Sequence, residues 1–425
     1  MKRVNHKRGG TLDFSLRKAG LIGVVLLLSI AGSSQSLDSL VTLALSQNRN
    51  LLGLEKSQLA ARERIGQVGQ LPDPELGVGV GVVPVETRLG PQQIRFGATQ
   101  MIPWPGMLKS QKELARLQAS GQWQKTEVYR LTLAYRVQRA WLNWYEVRKS
   151  EDILRQHLPL LRSLERIALS KVESGKGLLS QVLTVQLRIR ELETQLALMA
   201  SQKEVPQLEM NQLLGRDSET PMRLVDSLQF ADLPYPLDSL EAFVRDNHPQ
   251  LRWYENQEDL ARQALDLNAL AAKPSFGVGL DYVITGQRSD ADPTNNGRDV
   301  VMPRLMVKVP LYREKYRAKS REEALKIAAL DYQKADELSR YMTDIRQAYR
   351  QYEQAQLHQE LYTAQIAQIH SILDLSINQY SADASGFDAL LDLYRDLIRY
   401  ESLQLKAIVD SHRAKVEVER YLKIN

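Results

Sequence analysis

The sequence predicts a mainly α-helical chain with a membrane β-barrel portion: long antiparallel helices that form an α-barrel, joined to four β-strands, in two tandem repeats. Three observations carry this. Two neighbouring stretches alternate apolar residues with glycine or polar ones at period 2, both recur roughly 200 positions later, and each pair leads into a helical segment of about 70 residues.

The first stretch runs from Leu71 to Ser110. Along Leu76 to Val82 every even position is Leu or Val, with Gly77, Gly79 and Gly81 between them. Ile94, Phe96, Ala98 and Ile102 then alternate with Arg95, Gly97 and Thr99. Period 2 gives a strand one apolar face, and each run is near the length a tilted strand needs to cross a bilayer. Pro84 to Pro91 supplies turn formers and charges between them. In the second copy, Pro274 falls 200 positions after Pro74. Phe276, Val278, Leu280 and Tyr282 face one way, against Gly277, Gly279 and Asp281. Val301, Leu305, Val307 and Val309 form the fourth apolar face, with Arg304 and Lys308 among the other positions. Pro103 and Pro310 close the second strand of each copy 207 apart, so the loop Thr285 to Val300 carries an insertion. Trp104, Tyr282 and Tyr312 near strand ends suit membrane interfaces.

The amino terminus reads as a signal peptide over residues 1–35. Met1 to Lys18 is basic, Ala19 to Ala31 is an apolar run too short for a spanning helix, and Gly32 to Ser36 are small residues. Residues 1–33 hold six Lys or Arg and one Asp, so their removal takes 56 bases against 51 acids to 50 against 50. A neutral chain gives no footing to a nucleic-acid partner. The absence of cysteine excludes disulfides, thiolate metal sites and an amino-terminal lipid anchor.

The repeats divide as 36–235 and 236–425, each in the order helix, two strands, long helix, short helix. Leu37 to Val68 reads as one helix of about thirty residues, capped by Asp38 and free of proline. Its copy starts at Leu237, where Pro249 divides it in two. Gly106 to Gly175 keeps an apolar stripe through Ala134, Val137, Trp141, Trp144, Leu154, Leu158, Leu161 and Ala168, and at 1.5 Å per residue spans roughly 100 Å. Leu178 to Leu214 carries Val182, Val185, Ile189, Leu192, Leu196 and Met199 at alternating intervals of 3 and 4, a coiled-coil seam. Tyr312 to Ser381 and Phe387 to Lys423 repeat the plan. In each half the two shorter helices together match the long one, so they stack end to end beside it. Gly215 to Pro236 connects the halves near mid-shaft.

Four strands cannot close a membrane barrel, because open edges in lipid leave backbone groups unpaired. The chain must oligomerise, and three copies give an even-numbered barrel of twelve strands.

The signal pattern, the duplicated order, the LPDP and KPSFGVG strand starts, the VETRLGPQ loop and the MIPWPGML strand exit together resemble the TolC family of outer-membrane efflux proteins, over nearly all of the chain after residue 35. Among its branches the chain looks most like the heavy-metal and cation efflux branch. The resemblance implies a homotrimer in the outer membrane of a Gram-negative bacterium, with its helical barrel in the periplasm. It also implies a passive exit duct, joined through a periplasmic adaptor protein to an inner-membrane efflux pump. The outer-membrane duct of a type I secretion system uses the same fold and is the alternative within transport. A periplasmic coiled-coil scaffold is the alternative outside it, disfavoured by four lipid-compatible strands.

Val172 to Leu183 and Gln379 to Leu391 align at the offset of 207 and resemble the family's tip, which places adaptor or pump contacts at Gly175, Gly177, Leu178, Ser180, Ser385 and Gly386. Asp388 and Asp392, at i and i+4, share one helix face. Asp388 matches the first of the family's gate aspartates. The second falls at Leu391, so Asp392 is a shifted substitute, and Lys176 is a candidate closing partner. Rings of acids in a narrow mouth select cations. Two solvated carboxylates at a helix start are the plain alternative.

No enzyme signature is present. Gly175-Lys176-Gly177 lacks the rest of a phosphate loop, the six histidines form no motif, and the nine methionines form no thioether cluster in the sequence. No catalytic residue, resident metal or cofactor is expected.

Overall fold

A computed structural model describes residues 36–222, 227–383 and 385–422. The signal peptide expected over residues 1–35 lies outside them. The chain is a long helical shaft topped by one four-stranded antiparallel sheet, which bears out the predicted class. In chain order the elements are α1 (Leu37–Gln47), α2 (Arg49–Gln67), β1 (Glu75–Thr87), β2 (Gly90–Ile102), α3 (Met107–Glu173), α4 (Leu179–Gln202) and α5 (Glu204–Leu213). The second half gives α6 (Leu237–Asn247), α7 (Pro249–Ala271), β3 (Ser275–Thr285), β4 (Val300–Lys308), α8 (Glu314–Asp383) and α9 (Phe387–Glu419).

Two expected helices are broken. The helix over 37–68 stops at Asn48, whose extended backbone (φ −62°, ψ 119°) ends α1 and whose Oδ1 accepts from the N–H groups of Asn50 and Leu51 to start α2. A polar side chain able to cap therefore makes the break that proline makes in the second half. The helix over 178–214 is interrupted at Lys203, ahead of Pro206, which has no N–H to donate and sits in the first turn of α5 where none is required. Pro159, by contrast, is carried inside α3.

The sheet order is β1-β2-β3-β4, so β1 and β4 are unpaired edges. Glu75, Thr99, Gly279 and Arg304 form one cross-strand row; Gly77, Gly97, Asp281 and Met302 form the next. Gly90 turns the first hairpin at φ +124°, and a Cβ there would stand 1.8 Å from the carbonyl oxygen of Gly286. Only glycine fits so close an approach. The two strand-connecting loops are joined at this point, Gly286 N–H donating to Pro91 O at 2.8 Å and Gly297 N–H to Leu89 O at 2.7 Å.

Along the shaft, α2 and α4 both pack on α3, and α7 and α9 both pack on α8, as the matched lengths require. α3 also contacts α7 and α9, which joins the halves. The column order is therefore α2, α3, α7, α8 beside the sheet and α4, α3, α9, α8 toward the far end. Three cores hold these columns. The far-end core contains the predicted seam Val182, Val185, Ile189 and Leu192 with Ile369, Leu373 and Tyr380. A mid-shaft core packs Leu40, Ala44 and Leu51 on Val137, Trp141 and Tyr145, and a third joins Leu240 and Val244 to Tyr341, Ile345 and Tyr421. The connector of the halves lies at mid-shaft, where Ala231 N–H donates to Ser411 Oγ and Leu228 N–H to Tyr145 OH.

Candidate functional site

Two regions are candidate functional sites: the sheet and the far tip of the shaft. On the sheet, the alternation read from sequence separates two unlike faces. Leu76 and Leu305 are each 82% exposed, and Val78, Val80, Phe96, Val278, Leu280 and Val307 lie open on the same side. The opposite side holds the glycines, with Arg95, Asp281 and Arg304. Burying so many apolar side chains is the dominant favourable term available to such a surface, at about 25 cal/mol per Å². Among the described residues nothing covers them. Trp104 stacks on Phe276 (6.2 Å between ring centroids) at the sheet's shaft end, while Tyr312 stands exposed beside it. No described helix is long and apolar enough to cross a membrane.

The free edges run the whole length of the molecule. One edge is β1, α2, α5 and α4; the other is β4 and α8. Both carry exposed apolar residues. Leu179, Leu183 and Leu187 recur at i, i+4 and i+8 on α4, with Val205 on α5, while Leu325, Tyr332, Leu357 and Leu375 stand out along α8. Unlike edges on one chain meet head to tail between copies, and such contacts close into a ring when the rotation between copies closes.

At the tip, Gly175 (φ +71°) and Gly386 (φ +77°) take the left-handed conformation that each reversal needs. The first turn is closed by the N–H groups of Lys176 and Gly177, which donate to Lys171 O at 2.9 and 3.0 Å. Leu178, the last residue before α4, is 65% exposed, and Ser180 is exposed on the first turn of that helix. Gln379 Nε2 donates to Ser385 Oγ at 3.2 Å across the second turn. The two hairpins are linked here by Lys171 Nζ donating to Ser381 O at 2.8 Å.

Asp388 lies in the first turn of α9, opposite the buried Phe387, Leu390, Leu391 and Tyr394. It forms no ion pair among the described residues, whereas Asp392 Oδ1 is 2.9 Å from Arg395 Nη1 on its own helix. The two acids share an exposed face, but only Asp388 offers an uncompensated charge. Leu391 is a core residue, which explains why no acid occupies it. Lys176 is exposed and pairs with neither aspartate within one chain.

Among the described residues no cluster of three or more His, Asp or Glu is placed to hold a metal ion. Sequence reasoning missed the buried charges of the shaft. Glu151 is fully buried, with Arg148 Nη1 at 2.8 Å, Arg155 Nη2 at 2.6 Å and Lys203 Nζ at 3.5 Å. Burial acts to raise its pKa, but the two arginines and the lysine prevail and hold it below the usual carboxylate range. The sole sequence signal was the i, i+3 and i, i+4 spacing of Glu151 with two arginines, which reads equally well as a surface pair.

No family model matches the chain, and no curated protein matches it. Solved structures do. The chain is similar to CusC, a protein solved in a study of folding and transmembrane channel formation, at 15% identity and a TM-score of 0.75, over 92% of this chain and 93% of that one. It is similar to the CmeC outer-membrane channel of Campylobacter jejuni at 13% identity and a TM-score of 0.73, over 91% and 85% of the two chains. It is also similar to the open state of the MtrE outer-membrane channel of Neisseria gonorrhoeae, at 17% identity and a TM-score of 0.68, over 91% and 88%. Near-complete coverage in both directions shows that the described residues have this fold from the first helix to the last.

Proposed function

We propose that the chain is the subunit of a homotrimeric outer-membrane duct in a Gram-negative bacterium, with its helical shaft in the periplasm. The duct passively passes small solutes or metal cations delivered by an inner-membrane efflux pump through a periplasmic adaptor protein. The observation that carries this reading is the open sheet: four strands, two unpaired edges, one face apolar and bare, the other glycine-lined and polar. In lipid such a sheet is stable only when its edges are paired. Three copies set β4 of one against β1 of the next, and α8 against α2 and α4, which covers both apolar edges together. The fold shared with three solved channels supports the same reading. The tip residues Gly175, Gly177, Leu178, Ser180, Ser385 and Gly386, all exposed except the half-buried Gly177, are the proposed adaptor contacts. Asp388 is the proposed constriction charge, with Asp392 and Lys176 beside it.

The test is membrane fractionation followed by an unheated gel and planar-bilayer recording of the purified protein. A heat-dissociable trimer in the outer-membrane fraction, with discrete conductance steps, is the expected result. A soluble monomer without conductance overturns the reading.

A further inference from the structure

The polar face of the sheet carries a charge cluster that the acids at the tip do not explain. Asp281 is 3% exposed at its side chain and is held from two sides, by Arg95 Nη2 at 2.5 Å and by Arg304 Nη2 at 3.8 Å. Arg304 Nη2 also donates to Thr99 Oγ1 at 2.7 Å. Glycines make the arrangement possible. A Cβ at Gly97 would stand 2.8 Å from Asp281 Oδ1, and one at Gly279 would stand 3.3 Å from Arg304 Nε. The guanidinium groups therefore lie against a glycine floor while keeping 48% and 38% of their side-chain surface open.

One carboxylate against two guanidinium groups leaves positive charge. In the regularly paired rows this face carries Glu75, Arg95, Asp281, Arg304 and Lys308, a net charge of +1 per chain. We propose that Arg95 and Arg304, clamped by Asp281, form an anion-preferring collar inside the strand region, opposite in sign to the Asp388 face at the tip. The proposal rests on the duct reading. A cation in the strand region meets like charge whichever way it travels, so the collar slows its exit and its re-entry alike, while small anions are drawn in. Because the charges lie on the wall, their reach is set by screening: about 30 Å in 0.01 M salt and about 3 Å at 1 M.

The experiment is the permeability ratio of K⁺ to Cl⁻, from reversal potentials across a KCl gradient at low and high mean salt. In the double variant Arg95→Gln with Arg304→Gln the ratio rises roughly twofold or more at low salt and converges on the wild-type value near 1 M. Asp281→Asn shifts it the other way. A merely structural role for the cluster gives no such salt dependence. Should the sheet variants fail to assemble, Asp388→Ala leaves the collar intact and removes the opposing charge; the duct then prefers Cl⁻ at low salt. A K⁺ preference persisting there, or an unchanged ratio in the double variant, overturns the collar while the duct stands. Absence of any current from the wild-type protein overturns the duct and the collar with it.

Discussion

Asn48 and His248, 200 residues apart, occupy the same place in the two repeats: each ends one helix in extended backbone and caps the next with its side chain. Asn48 Oδ1 accepts from Asn50 and Leu51 N–H at 3.1 Å, and His248 Nδ1 accepts from Gln250 N–H at 3.2 Å. The duplicated break aligns α1 with α6 and α2 with α7 on the two long helices. The caps differ in one respect that matters, since only histidine titrates near neutral pH.

His248 is buried against Tyr341 and Tyr421, and burial, with the nearby charge of Arg420, lowers its pKa from 6.5 to about 4. The neutral ring is therefore the folded form. The unfolded chain binds this proton more tightly, so the stability His248 contributes is complete above pH 6.5 and is lost as pH falls toward 4. Between pH 7 and pH 5 the loss is about 2 kcal/mol per chain. His248→Asn, which copies the cap of the first repeat, should lower the melting temperature modestly at pH 7 and flatten its decline toward pH 5. Thermal melts by circular dichroism at the two pH values check this; an unaltered decline removes His248 as its source.

The same pair shows what the sequence made legible. The 200-residue offset, the strand faces and both long helices could be read directly, because alternation and proline spacing are local. The break at His248 was announced by Pro249. The break at Asn48 was not, since an asparagine inside a helical pattern reads as tolerated until its Nδ2 is seen to donate to Leu213 O across the fold. At the tip, the shared face of Asp388 and Asp392 followed from their spacing. The neutralisation of Asp392 by Arg395 did not, because an i, i+3 pair on an exposed helix turns on side-chain geometry.

The exposed face of the sheet gives a direct test of its solvent. Val278 and Val307 lie on adjacent strands of that face. If it meets lipid, arginine at either position costs about 2–4 kcal/mol per chain near the bilayer midplane. Val278→Arg and Val307→Arg should each reduce the yield of heat-dissociable trimer from outer membranes. Wild-type yield from both variants means that the apolar face looks into the lumen.

Gly90 tests the junction of the two loops. Its φ of +124° and the 1.8 Å between its would-be Cβ and Gly286 O leave no room for a side chain. Gly90→Ala forces the loops apart, at a cost of at least about 2 kcal/mol for strain and lost hydrogen bonds. The trimer should dissociate at a lower temperature on an unheated-to-heated gel series, with shaft helicity unchanged. An identical dissociation temperature shows that the loops do not brace the barrel.

The tip separates its two aspartates. In the proposed trimer, three Asp388 carboxylates would converge without local compensation, while each Asp392 would bring its Arg395 partner with it. Block of the open duct by a multivalent cation added at the tip side should therefore weaken about tenfold in Asp388→Ala and much less in Asp392→Ala. Arg395→Ala supplies the converse: by freeing Asp392 it should tighten the block, and Arg395→Ala combined with Asp392→Ala should cancel that gain. Equal effects of Asp388→Ala and Asp392→Ala would show that Arg395 turns away in the assembled ring. No effect of either would place the constriction elsewhere on α9 or on α4, because a charge lining the narrowest passage cannot be removed without changing the occupancy of a multivalent cation there.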